Sequence, residues 1–203
     1  MNSKTTAKLD LPIVAQKIIL RLKEDLPSRL TYHGLPHTFE VIDESILLAE
    51  TDNLAPEKIE LLKIAAAFHD AGFLFKNGQN EYLAAKLAER EMKIDGNYNT
   101  SQIEEVMNCI LSTKISKDYQ RISLSDLSKY LMDADLGNLG RADFFNRTEL
   151  LSKELDIDKT TLLERSVFLL ENHIWLTPAG NALRETGRKE NLSKLKELLS
   201  EKN

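Results

Sequence analysis

The chain has 203 residues with a formal net charge of −5, and its 42% hydrophobic and 29% charged residues are the balance of an ordinary globular protein of one domain, residues 1–203. Eight glycines and five prolines are too few for the many tight turns of an all-β fold. The acidic balance argues against non-specific nucleic-acid binding as the main task, and the single cysteine, Cys109, excludes an internal disulfide and agrees with a reducing compartment. Met1 to Asp10 is polar and lacks the apolar core of a secretory signal. No apolar run approaches the ~20 residues a membrane span needs. The expectation is a cytoplasmic protein with neither a membrane nor a nucleic-acid partner.

In chain order, a first helix is predicted from Asp10 to Leu26, opened by Leu11 and Pro12 and ended by Pro27. The loop Leu30–His37 carries two of the four histidines, and Pro36 starts a second helix that reaches about Glu50 with His37 in its first turn. Pro56 and Glu57 open a third helix that ends at His69-Asp70, with Gly72 expected to close it in the left-handed conformation. Asn77-Gly78 is a turn signal, and a fourth helix follows from about Glu81 to Met92. Beyond the break Asp95-Gly96-Asn97, Ser101 and Glu104 have the spacing of a capping box for a fifth helix to Thr113. Cys109 falls in that helix as a small buried hydrophobe. Lys114 to Ser123 is polar and irregular. A sixth helix starts near Ser125-Asp126, and helices over 141–155, 160–176 (with a Thr161-Glu164 capping pair) and 178–199 complete an all-α bundle.

The chemistry-bearing residues lie on three of these helices. Counting back from His69 by helical steps gives Ala66, Ala65 and Leu62, so its imidazole lies on the apolar side. Leu127, Leu131, Asp135 and Leu139 form one stripe, so Asp135 points inward, while Asp133 is turned away by about 160° at roughly 100° per residue. Gly137 and Gly140 mark close packing or an early helix end. His37, His69, Asp70 and an inward Asp135 are buried polar groups in need of a common partner. Two neutral imidazoles and two carboxylates balance one divalent cation. His173 shares a helical face with Leu162, Leu169 and Leu170 and reads as a packing residue. Glu81 and Lys114 are within reach of such a pocket but are equally well surface charges.

The order H…HD…D resembles the HD-domain superfamily of metal-dependent phosphohydrolases. Tyr32-His33-Gly34-Leu35-Pro36-His37 resembles the Y-H-N-x-x-H segment of cyclic-nucleotide phosphodiesterases. Ala67-Phe68-His69-Asp70-Ala71-Gly72 is similar to the family's L-x-H-D-x-G block, and Asp133-Ala134-Asp135-Leu136 to its closing aspartate segment. The resemblance covers about residues 29–140, leaving 141–203 as additional C-terminal helices.

By position, it implies His37, His69, Asp70 and Asp135 as ligands of a divalent metal (Mn, Fe, Ni, Co, Mg or Zn). It implies His33 as the acid that protonates the leaving oxygen, and Asp70 as a contact of the attacking water. The implied reaction is hydrolysis of a small phosphate ester, a nucleotide or cyclic nucleotide among the candidates, by metal-activated water. A metal-retaining nucleotide sensor without turnover is the alternative, and a homo-oligomer is compatible with the sequence. Two departures stand out. Asn80-Glu81 replaces the His-Glu of many relatives, and no histidine lies between His69 and His173, which disfavours a second fully protein-ligated metal.

Overall fold

The computed structural model describes residues 11–75, 78–115 and 122–201. Asp10, Asn77 and part of the predicted irregular stretch 114–123 lie outside them. The described residues form nine α-helices: α1 Ile13–Asp25, α2 Leu35–Thr51, α3 Pro56–Phe68, α4 Asn80–Asp95, α5 Thr100–Ser112, α6 Ser128–Asp135, α7 Phe144–Leu155, α8 Lys159–Asn172 and α9 Pro178–Ser200. Two 3-10 turns, Ala71–Leu74 and Gly137–Gly140, follow α3 and α6. Among the described residues no strand occurs, in line with the glycine- and proline-poor composition, and no helix is long and apolar enough to cross a membrane.

The middle of the first hydrophobic cluster is α3, which packs against α1, α2, α4, α5 and α6. Its second half, Ile64-Ala65-Ala66-Ala67-Phe68, is buried all round. The alanines let five neighbours approach closely, which an amphipathic helix with one polar face would not allow. A second cluster gathers Leu139, Phe144, Leu163, Leu170, Trp175 and Leu195 from the Gly137–Gly140 turn and the C-terminal helices. Buried polar contacts join the two. Glu44 of α2 accepts two bonds from Arg184 of α9, from Nε at 2.6 Å and from Nη2 at 2.7 Å. Asp133 of α6 accepts from the backbone N–H groups of Leu176 and Thr177 and from the Thr177 hydroxyl.

Several predicted boundaries shift for local reasons. The capping box of α5 is Asn99 with Gln102 rather than Ser101 with Glu104, and Asp158 rather than Thr161 caps α8 by accepting the Thr161 N–H. Helix α6 begins at Ser128, after a turn closed by reciprocal Ser125–Ser128 bonds. The last helical turn predicted for α8 is extended chain, and His173 sits just past the helix, packed edge-on to Trp175 at 4.2 Å between ring centroids. Gly96 ends α4 in the left-handed conformation. Gly72 does not do the same for α3: it lies inside a 3-10 turn, and its missing side chain leaves room for the backbone of Asn80.

Candidate functional site

Three elements converge on one point. The first turn of α2 contributes His37, the C-terminal end of α3 contributes His69 and Asp70, and the last residue of α6 contributes Asp135. The imidazole Nε2 atoms of His37 and His69 face each other at 3.4 Å. Asp70 Oδ2 lies 3.2 Å from His69 Nε2 and 3.7 Å from His37 Nε2. Asp135 Oδ1 lies 3.2 Å from His37 Nε2 and 3.7 Å from His69 Nε2. His37, His69 and Asp70 form a group whose ligand atoms all fall within 4.8 Å of one another. Asp135 adjoins both imidazoles without belonging to that mutual group. Both histidines are buried, whereas the Asp70 and Asp135 side chains keep 12% and 18% of their surface open, so the cluster is reached from its carboxylate side.

The donor set fits a divalent cation on three counts. His69 Nδ1–H donates to the Ala66 carbonyl at 2.8 Å, which fixes the tautomer and leaves the Nε2 lone pair for the cluster. Asp70 Oδ1 accepts from the Asn80 amide at 3.0 Å, while Oδ2 is buried and accepts no aligned hydrogen bond. A carboxylate oxygen left in that state beside two imidazole nitrogens is costly unless a cation meets it. The third count is the charge balance. Burial drives His37 towards its neutral form. His69 is also opposed by burial, but Asp70 and Asp135 hold its pKa up to about 9. Without a metal the two carboxylates thus hold a proton on His69, one positive charge where a divalent cation would supply two. The ions of Asp70 and Asp135 are themselves kept below the usual carboxylate range, against burial, by the imidazoles.

His33 stands beside this cluster in the loop before α2, its ring 5.8 Å from that of His37 and 4.9 Å from that of Phe73, between centroids. Its Nδ1–H donates to Glu154 Oε1 at 2.5 Å, and the backbone N–H groups of Tyr32 and His33 both donate to Glu154 Oε2. One buried carboxylate from the end of α7 therefore fixes both the loop and the ring. Burial opposes the charged form of His33, yet the Glu154 bond and the charge of Asp70 outweigh it and raise its pKa. Tyr32 packs on the His37 ring and is covered in turn by the Arg147 guanidinium, 5.0 Å above it.

All five candidates from the sequence, His33, His37, His69, Asp70 and Asp135, are therefore neighbours. Two others escaped the sequence reading. Asn80 holds Asp70, and its signal was the replacement of a histidine at that position. Glu154 holds His33 from 121 residues away, and nothing in the local pattern marks it. Lys114 is exposed, and it is Ile115 that lines the neighbouring cavity. Asp133, turned away as its helical phase requires, is fully buried as an anchor for the chain entering α9. Burial pushes the Cys109 thiol up, consistent with a packing role.

No family model and no curated protein matches the sequence. Solved structures do match. The chain is similar to a predicted HD superfamily hydrolase from an uncultured Thermotogales bacterium, at 18% identity with a TM-score of 0.65, covering 100% of both chains. It is also similar to Bacillus subtilis YpgQ in complex with ADP, at 18% identity with a TM-score of 0.66, covering 96% of both chains. The chain shares the fold of both structures over 96% or more of its length.

Proposed function

We propose that this HD-fold protein is a metal-dependent phosphohydrolase acting on a small phosphate ester, with a nucleotide as the favoured substrate. The observation that carries the proposal is the buried, unbonded Oδ2 of Asp70 lying within 4 Å of two inward-facing imidazole nitrogens. Complete-length likeness to a protein described as an HD superfamily hydrolase supports the reaction class. That a second relative was crystallised with ADP supports a nucleotide.

In this reading His37, His69, Asp70 and Asp135 hold the cation. A divalent metal there supplies Lewis acidity, lowering the pKa of water and drawing charge from a phosphoryl oxygen. The residues of the chain do the rest. Asn80 ties up one oxygen of Asp70 and so commits the other to the cluster. Asp135, on the open side, orients what enters. His33, kept protonated by Glu154, gives its remaining proton at Nε2 to the departing oxygen, a contribution of about 10²–10⁴-fold for a general acid. Glu154 touches no substrate atom and acts by positioning His33.

The test is phosphate release from p-nitrophenyl phosphate and a nucleotide panel with Mn²⁺, Co²⁺, Ni²⁺ or Mg²⁺. Turnover that is abolished by chelation and by Asp70→Ala is the expected result. Tight metal and nucleotide binding without turnover under any metal would overturn the hydrolase reading in favour of a sensor.

A further inference from the structure

A cavity of about 300 Å³ opens beside His33 and Asp135 and runs between the Gly137–Gly140 turn, α7 and α8. Its walls are mainly apolar, with Leu139, Phe144, Leu162 and Leu169 among them. The Thr148 and Ser166 hydroxyls in the lining are already committed: Thr148 donates to the Phe144 carbonyl and Ser166 to the Leu162 carbonyl. Beyond the residues at the His33 end, two polar groups stay uncommitted. Arg165 is exposed at the rim and makes no ion pair among the described residues. Asn138, three residues after Asp135, lines the cavity, and its Oδ1 is buried without a hydrogen-bond partner. No other described group bonds its amide nitrogen, so the amide offers a donor and an acceptor side by side whichever way it is turned.

We propose that this cavity receives the base of a nucleotide and that Asn138 reads the base edge, an inference that rests on the phosphohydrolase reading above. A sugar in the cavity would leave its hydroxyls facing leucine and phenylalanine. A bare aryl ring would suit the walls but leave the Asn138 amide unpaired. A heteroaromatic ring with an adjacent donor and acceptor satisfies both, as asparagine does when it pairs with an adenine edge. The phosphate then lies at the His33–Asp135 end, where the metal cluster begins, and the organic group is selected one helical step away.

The experiment is calorimetric titration of the Mn²⁺-loaded protein with inorganic phosphate and with the non-hydrolysable phosphonate analogues of AMP and ribose 5-phosphate. The AMP analogue is expected to bind about tenfold more tightly than the ribose analogue, the worth of one or two buried hydrogen bonds. Asn138→Leu should remove most of that preference while inorganic phosphate still binds. Ser166→Phe, which fills the cavity from its opposite wall, should do the same and decides the matter if Asn138→Leu does not fold. Equal binding of the two analogues by the native protein, or a preference that survives both cavity variants, overturns the base site and leaves the phosphohydrolase reading intact. Failure of inorganic phosphate and both analogues to bind would overturn the phosphohydrolase reading and the base site together.

Discussion

The pairing of Glu154 with His33 gives the most specific expectations for single residues. A histidine that must be protonated to act loses activity as pH rises through its pKa. Since Glu154 raises that pKa against the opposing effect of burial, the alkaline fall in rate should move to lower pH in Glu154→Gln. The same variant should lower kcat more than it raises KM, because the ring loses its anchor while the metal ligands are untouched. A profile with an unmoved alkaline limb would detach Glu154 from the chemistry. His33→Asn should bind Mn²⁺ like the native protein and turn over about 10²–10⁴-fold more slowly. Full activity in that variant would end the acid assignment. At this scale the sequence revealed more than its single-residue motifs would suggest. Helical phase alone separated Asp135 from Asp133, because a rotation of roughly 100° per residue puts neighbours two apart on opposing faces. The same phase could not say that the outward face was buried too. Asp133 meets the Leu176 and Thr177 backbone, 43 and 44 residues on, and Glu154 meets His33 across 121 residues. Contacts at such separations leave no trace in local periodicity.

The elements were legible where periodicity was strong and blurred at their ends. Two cap assignments went to the wrong residue because Ser101 and Thr161 have the chemistry of a cap, yet Asn99 and Asp158 stand just upstream and start their helices earlier. The box at Asn99 offers a simple check: Asn99→Ala should cost about 1 kcal/mol of stability, measured by chemical denaturation. No change in the denaturation midpoint would mean that Gln102 and the tertiary packing of α5 carry that end alone. The glycine after His69-Asp70 teaches a different lesson. A glycine past a helix end suggests a left-handed cap, but Gly72 is there so that the start of α4 can press against the turn and deliver Asn80 to Asp70. Gly72→Ala should therefore weaken metal affinity as well as stability, which titration with Mn²⁺ would register. Unaltered affinity in a folded variant would separate the turn from the site.

Across the molecule, the candidate site lies where the two hydrophobic clusters meet. Its ligands come from helices of the first cluster, while His33 is held by α7, which also walls the cavity together with α8. Glu44–Arg184 and Asp133–Thr177 tie the halves together with charge-assisted bonds that are costly to break one partner at a time. We therefore expect residues 1–203 to unfold as one cooperative unit. Asp133→Ala should lower stability by about 3 kcal/mol, since it leaves two backbone N–H groups and a hydroxyl without their acceptor. Two separate calorimetric transitions in the native protein would instead mark the C-terminal helices as an independent unit.

All of this depends on a cation held by side chains from α2, α6 and the end of α3. Crystals grown with Mn²⁺ and measured at the manganese absorption edge test that directly. An anomalous peak is expected about 2.0–2.3 Å from His37 Nε2, His69 Nε2 and one oxygen each of Asp70 and Asp135. A manganese-saturated crystal with no peak between those four side chains would contradict it.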